Sequence, residues 1–252
     1  MFFDSHAHYD DERFNADREQ VLTGLSAYQV DHVINVGSDM ASSRTSISLS
    51  QTYDFIYAAV GVHPHETEQM TEQDLEQLKS WLTQPKVVAL GEIGLDYYYD
   101  HSPRQTQRYW FDRQLSLAEE CKVPVIIHDR DAHGDTLELL QKHGHVRGVL
   151  HCYSGSVEMA QQLLNMGFYL GFGGSCTFKN AKTLPQVIQM VPEDRFLIET
   201  DCPYLAPVPH RGERNHSGLL PFVAAKIGEL RGWTVEQVAQ ISGENAKRLF
   251  GI

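Results

Sequence analysis

The order of apolar runs predicts an α/β chain folded as a closed (β/α)8, TIM-like barrel, with extra helices after the eighth strand. Three observations carry this expectation. Eight short apolar runs are each followed by a helical pattern, which implies a parallel sheet covered by helices. A chain of 252 residues with 42% hydrophobic composition can bury a core of that size. No linker, low-complexity tract, charge block or internal repeat divides the chain, so residues 1–252 are expected to form one domain. A doubly wound open sheet is the competing arrangement. Against it, the first strand-to-helix turn lacks the Gly-x-Gly-x-x-Gly that marks a dinucleotide site.

The first strand is Phe2-Phe3-Asp4-Ser5-His6-Ala7-His8, in which strand alternation points His6 and His8 to one face and Ala7 to the other. Val21, Leu22, Leu25 and Tyr28 then give Asn15 to Val30 a helical spacing, and His32 to Val36 reads as a second strand. A helix over Ala41 to Thr52 leads to a third strand, Phe55 to Val62, which stops at His63-Pro64-His65. Thr71-Glu72-Gln73-Asp74 forms a capping box before Leu75, Leu78 and Leu82, and Val87 to Glu92 is the fourth strand.

The alternation continues without a break. A long helix near Pro103 to Cys121 precedes strand Val125 to His128, and a helix through Leu137 and Leu140 precedes strand Gly148 to His151. Met159, Leu163 and Met166 mark the helix before Phe168 to Phe172, and Leu184, Val187, Ile188 and Val191 mark the one before Phe196 to Asp201. Two closing helices run from Leu219 to Leu230 and from the Thr234 cap to Phe250.

A formal net charge of −12 excludes a broad basic groove, because gripping nucleic acid by phosphate neutralisation needs clustered Lys and Arg. Bound divalent cations can still reverse the potential inside one pocket. No apolar run is long enough for a membrane span, and Met1-Phe2-Phe3 meets Asp4 at once, leaving no signal-peptide core. A cytoplasmic location is expected. Cys121, Cys152, Cys176 and Cys202 contain no Cys-x-x-Cys pair and read as reduced thiols. Cys152 and Cys202 adjoin candidate ligands, but strand alternation turns them to the opposite face, which argues against ligation.

Barrel active sites lie at the C-terminal ends of the strands, and several of these strands end in a metal-capable side chain. They are His6 and His8, His63, Glu92, His128, His151 and Asp201. A lone histidine there usually anchors a loop, but so many on one rim point to a metal centre. Four imidazoles (His6, His8, His128, His151) with Glu92 and Asp201 exceed the needs of one tetrahedral ion and suit two, with Glu92 as the bridge. Mixed nitrogen and oxygen donors favour Zn²⁺ or Mn²⁺ over Mg²⁺.

These residues carry a resemblance. Asp4-Ser5-His6-Ala7-His8, Gly61-Val62-His63-Pro64-His65, Gly91-Glu92-Ile93-Gly94-Leu95-Asp96, Ile127-His128, His151-Cys152-Tyr153-Ser154-Gly155 and Glu199-Thr200-Asp201 resemble the TatD family of metal-dependent deoxyribonucleases, related to the amidohydrolases. The resemblance implies a TIM-like barrel, divalent metals on His6, His8, Glu92, His128, His151 and Asp201, and often exonucleolytic hydrolysis of DNA. One departure stands out: where such proteins commonly read Arg-Gly-Lys-Arg-Asn-Glu-Pro, this chain has Arg211-Gly212-Glu213-Arg214-Asn215-His216-Ser217. Glu213 matters if it meets the substrate and changes little if it faces solvent.

Asp201 is expected to serve both as ligand and as the base that takes the proton of the attacking water, with Glu92 as the other catalytic carboxylate. His63 and Arg211 are the candidate substrate contacts, Arg211 because a guanidinium grips phosphate bidentately. Arg130 is a weaker candidate of the same kind. Tyr97-Tyr98-Tyr99 offers either a stacking platform for an unpaired base or ordinary loop packing. Asp4 and Glu199 are expected to orient ligands from the same strand faces. The expected substrate is DNA, single-stranded or end-frayed, with no membrane or obligate protein partner. A hydrolase of small esters or aminoacyl-RNA esters is the first rival; the lysine-bridged amidohydrolase pattern is disfavoured because Glu92 holds the bridging position and Lys86 starts that strand. A non-catalytic nucleic-acid scaffold is the second, and an intact ligand set argues against it.

Overall fold

Each apolar run has backbone donors and acceptors to satisfy and two faces to bury, and pairing all eight in one parallel sheet does both. In the computed structural model, which describes residues 1–252, the strands are β1 (Phe2–Ala7), β2 (Val30–Val36), β3 (Ile56–Val60), β4 (Val87–Asp96), β5 (Val125–Arg130), β6 (Gly148–Leu150), β7 (Tyr169–Phe172) and β8 (Phe196–Ile198). They pair in sequence order, every pair parallel. Between them run α1 (Arg18–Gly24), α2 (Met40–Thr52), α3 (Glu72–Trp81), α4 (Arg104–Cys121), α5 (His133–Lys142), α6 (Val157–Asn165) and α7 (Leu184–Met190). Helices α8 (Leu220–Arg231) and α9 (Val235–Phe250) follow the last strand. The fold is the expected (β/α)8 barrel.

Closure falls just beyond the ends of β1 and β8. Asp201 donates its backbone N–H to His6 O at 2.9 Å, His8 donates to Cys202 O at 2.8 Å, and Ala7 bridges Cys202 in parallel. The buried Asp4 carboxylate locks this seam. It accepts from the Thr200 backbone N–H at 3.0 Å, from Thr200 Oγ1 at 2.6 Å and from Ser217 Oγ at 2.6 Å. Burial nonetheless raises the Asp4 carboxyl to about 6, against the lowering effect of Ser217 and Thr200.

The interior is filled at its lower end by an apolar plug to which every strand contributes: Phe3, Ile34, Ala59, Ala89, Ile126, Val149, Tyr169 and Leu197. Phe250 of α9 plugs the opening below, stacked on Phe3 at 6.5 Å between centroids. Above this plug the pore turns polar. A larger apolar cluster lies between the sheet and its helices, with Val33, Val60, Leu90 and Ile127 from the outward strand faces. Gly171 leaves room for that polar floor, since a Cβ there would sit 2.5 Å from Glu199 Oε2. Gly94, at φ +144, lets β4 pass where a Cβ would collide with His128 O.

Local structure departs from the sequence expectation in three places. The run from Asn15 to Val30 is broken: α1 ends at Gly24, Leu25–Tyr28 is a 3-10 turn, and Gln29 adopts a left-handed φ of 60°. A 3-10 turn keeps Leu22 and Leu25 on one face, so the apolar spacing alone does not separate the two helix types. Strand β4 runs to Asp96 rather than stopping at Glu92, and β8 ends at Ile198 rather than Asp201. The Thr71–Asp74 and Thr234–Gln237 capping boxes form as expected.

Thr200→Val removes a hydroxyl donor from the buried Asp4 carboxylate. It is expected to cost about 1–3 kcal/mol, read as a lower urea midpoint at unchanged m-value; an unmoved midpoint would show that the seam does not depend on this bond.

Candidate metal centre

Two register irregularities aim the donors inward. Along β1, Phe3 and Ser5 face the pore, and an irregularity between Asp4 and Ala7 turns His6 inward while Ala7 faces out. Along β4 the irregularity between Leu90 and Ile93 does the same for Glu92. His128 and His151 need no such device, because they lie two residues beyond the interior Ile126 and Val149. Past β8 the chain turns at Asp201, whose φ of 56° swings its carboxylate over the pore.

Glu92 is the hub of the site. Its Oε1 lies 2.7 Å from His151 Nε2, 3.0 Å from His128 Nδ1 and 3.6 Å from His63 Nε2. Its Oε2 lies 3.5 Å from the Nε2 atoms of both His6 and His8. Asp201 Oδ1 completes the second group, 3.7 Å from His6 Nε2 and 3.4 Å from His8 Nε2. Donors bound at about 2.1 Å to one ion lie roughly 3.0–3.4 Å apart, the range these separations straddle. The structure therefore brings all six sequence-predicted ligands into two groups sharing Glu92: His6, His8 and Asp201 on one side, His128 and His151 on the other. The donor set fits two divalent ions.

Hydrogen bonds at the far side of each ring decide which nitrogen is free. His8 Nδ1 donates to Val36 O at 2.8 Å, which leaves the Nε2 lone pair for a metal. His128 Nε2 meets Asp96 Oδ2 at 3.1 Å, which leaves Nδ1 facing Glu92. His63 is the reverse case: its Nδ1 accepts from His65 N–H at 3.2 Å, so the neutral ring presents Nε2–H to the pocket and acts as a donor. Burial holds His63 well below the ordinary histidine range, which keeps it neutral.

A family model described as TatD related DNase matches residues 3–251. The chain belongs to the TatD family. It is 46% identical over 254 residues to the uncharacterized metal-dependent hydrolase YabD of Bacillus subtilis, covering 100% of both chains. It is 33% identical over 257 residues to the 3'-5' ssDNA/RNA exonuclease TatD of Citrobacter rodentium, covering 99% of this chain and 98% of that one. The crystal structure of YJJV, the TatD homologue of Escherichia coli K12, superimposes with a TM-score of 0.94 at 32% identity, covering 100% of this chain and 98% of that one. This TatD chain is a metal-dependent hydrolase.

The electrostatics of the TatD site call for cations. Burial opposes charge on His8, yet the Asp201 hydrogen bond and the field of Glu92 outweigh it and raise His8 to about 10. His128, likewise buried, is raised to about 9 by Asp96 and Glu92. His151 is raised as well, against burial, by Glu92, so protons on His8 in one group and on the His128–His151 pair in the other occupy the places where ions would stand. Burial and the neighbouring His151 instead lower His6 to about 4.

Several expectations are corrected. Asp4 does not share the ligand face: the β1 irregularity sends it outward to Thr200 and Ser217. Glu199 does sit in the pore floor, raised to about 7 by burial, but its Oε1 is 3.8 Å from His151 Nδ1, and that nitrogen has no hydrogen-bond partner. Cys152 does not turn away, because β6 has ended at Leu150 and a left-handed φ of 43° brings its Sγ 3.9 Å from Asp201 Oδ2. Burial pushes that thiol far above its usual range, so it is a poor source of thiolate. Arg211 lies at the rim, stacked on Phe178 at 4.4 Å, and Glu213 faces solvent beside His210. Lys86 donates to Ser50 O and Tyr53 O and takes no part in the site. The sequence reading missed Asp96, which holds both His128 and His65. Its signal was the two-residue spacing Glu92, Gly94, Asp96 along one strand face.

Two ions per chain are expected in a calorimetric titration of the metal-free protein. Asp96→Ala should weaken one of the two sites by about 10–100-fold. Because His8 and His128 must shed protons, affinity should fall as pH falls. Equal affinity in the variant, or affinity independent of pH, would contradict the ring assignments.

Proposed function

We propose that this hydrolase is a deoxyribonuclease that shortens single-stranded or end-frayed DNA, working in the cytoplasm. The observation that carries the reading is the pair of unpartnered guanidinium groups on the rim of the cleft above Glu92. That cleft, of 1020 Å³, has Arg130 and Arg211 in its walls. Arg104, Arg108, Arg113, Arg195 and Arg214 are each tied to a carboxylate. The guanidinium groups of Arg130 and Arg211 have no ion-pair or hydrogen-bond partner and sit over aromatic rings, 4.1 Å from the Tyr98 centroid and 4.4 Å from that of Phe178. In a chain of net charge −12, guanidinium edges left free above a metal centre fit a phosphodiester. The Citrobacter rodentium relative, a 3'-5' ssDNA/RNA exonuclease, supports the same class of substrate. Four free cysteines, with Cys176 and Cys202 buried, suit a reducing compartment.

Bound ions would supply the Lewis acidity that makes water a nucleophile at neutral pH and offsets charge on the phosphate. The residues do the rest. Glu92, with Asp201 and the four imidazoles, would hold the ions. Asp201 is kept ionised: burial pushes its carboxyl up, but His8, His6 and His151 outweigh this and hold it below the usual range. It can therefore accept the proton of the attacking water. His63 donates Nε2–H to a phosphate oxygen, and Arg211 grips the neighbouring phosphate from the rim.

With end-labelled single-stranded DNA and metal-reconstituted enzyme, stepwise shortening that stops on chelation is expected. Asp201→Asn should lower kcat by about 10²–10⁴-fold, with KM changed far less, at full metal occupancy. No shortening with any divalent ion, despite two ions bound, would overturn the nuclease reading and direct attention to aminoacyl-RNA and small-ester substrates.

A further inference from the structure

We infer that Tyr98, Tyr99 and Arg130 form a base-binding arm, on which one unpaired nucleobase stacks while the guanidinium edge takes the adjoining phosphate. The inference deepens the nucleic-acid reading above and rests on it. Of the three consecutive tyrosines after β4, Tyr97 is tied to the helices, donating its hydroxyl to Asp135 and lying under Arg104, and Tyr99 leans on His101 of its own loop. Tyr98 and Tyr99 remain 59% and 51% exposed, far more than loop packing requires. Arg130 lies over both rings, 4.1 Å from the Tyr98 centroid and 4.7 Å from that of Tyr99. It bonds to no carboxylate although the chain carries 33 acidic residues against 21 basic ones. Two exposed rings and a free planar cation are the components of a single-strand stacking platform.

The arm is keyed to the metal centre through one carboxylate. Asp96 Oδ2 accepts from the imidazoles of His128 and His65, while its Oδ1 accepts the backbone N–H groups of Tyr98 and Tyr99 at 3.0 and 2.8 Å. Tyr99 is braced further by its stack on His101. The platform is therefore fixed relative to the Glu92 donors rather than carried on a free loop. A base inside a duplex has both faces stacked already, so an unpaired base is the one that can enter the arm and stack there. Preference for single strands or frayed ends follows from this geometry.

The test is equilibrium binding, by fluorescence anisotropy, of the metal-reconstituted enzyme to a labelled single strand with hydrolysis-resistant phosphorothioate links. One abasic residue is moved along the strand. The wild-type chain should bind about tenfold more weakly when the abasic residue occupies one particular position. A Tyr98→Leu, Tyr99→Leu double variant should lose that discrimination, while Tyr98→Phe, Tyr99→Phe should keep it. Absence of discrimination in the wild type, or its survival in the leucine variant, would overturn the arm. Discrimination without cleavage of any strand would keep the arm and sink the nuclease reading; cleavage without discrimination would do the reverse.

Discussion

A buried carboxylate surrounded by five imidazoles is the constraint on which the rest of the barrel depends. Glu92 is 4% exposed and has His6, His8, His63, His128 and His151 within 3.6 Å. An anion so placed has lost its hydration and is stable only if the surrounding groups return that energy. His151, His63 and His128 do so, outweighing burial and holding Glu92 well below the usual carboxylate range. Divalent ions on either side would take over the protons' part. The same concentration of charge that makes the pore costly to build makes it a metal site.

The barrel spends structure to hold those groups in place. The backbone bonds that close it, Asp201 to His6 and His8 to Cys202, also bring Asp201 beside the two first-strand histidines. Asp4, turned outward, ties the same seam to Thr200 and Ser217. Asp96 serves the opposite side, steadying His128 with one oxygen and the rim tyrosines with the other. Closure, ligand geometry and the shape of the cleft wall thus share a few carboxylates.

Strand periodicity made much of this legible. His6 and His8 converge because alternate residues share a face, and His128 and His151 fall inside for the same reason. What periodicity misses are the places where the backbone leaves it. The irregularities in β1 and β4 reversed the expectation for Asp4 and concealed the reach of β4 to Asp96. Left-handed turns at Cys152 and Asp201 carry side chains where an extended strand would not. Both kinds of departure lie next to ligands, where a functional geometry competes with regular structure. The rim was legible only as residue types. Whether Tyr98 packs its loop or stands free, and whether Arg130 is paired, depends on neighbours distant in sequence.

Glu92 is placed to stand between two cations, each completed by its own strands. Anomalous diffraction at the metal absorption edge, from crystals of the reconstituted protein, tests this placement most directly. Two peaks flanking the Glu92 carboxylate are predicted, one against His6, His8 and Asp201 and the other against His128 and His151. A single peak, or peaks that Glu92 does not touch, would contradict the account.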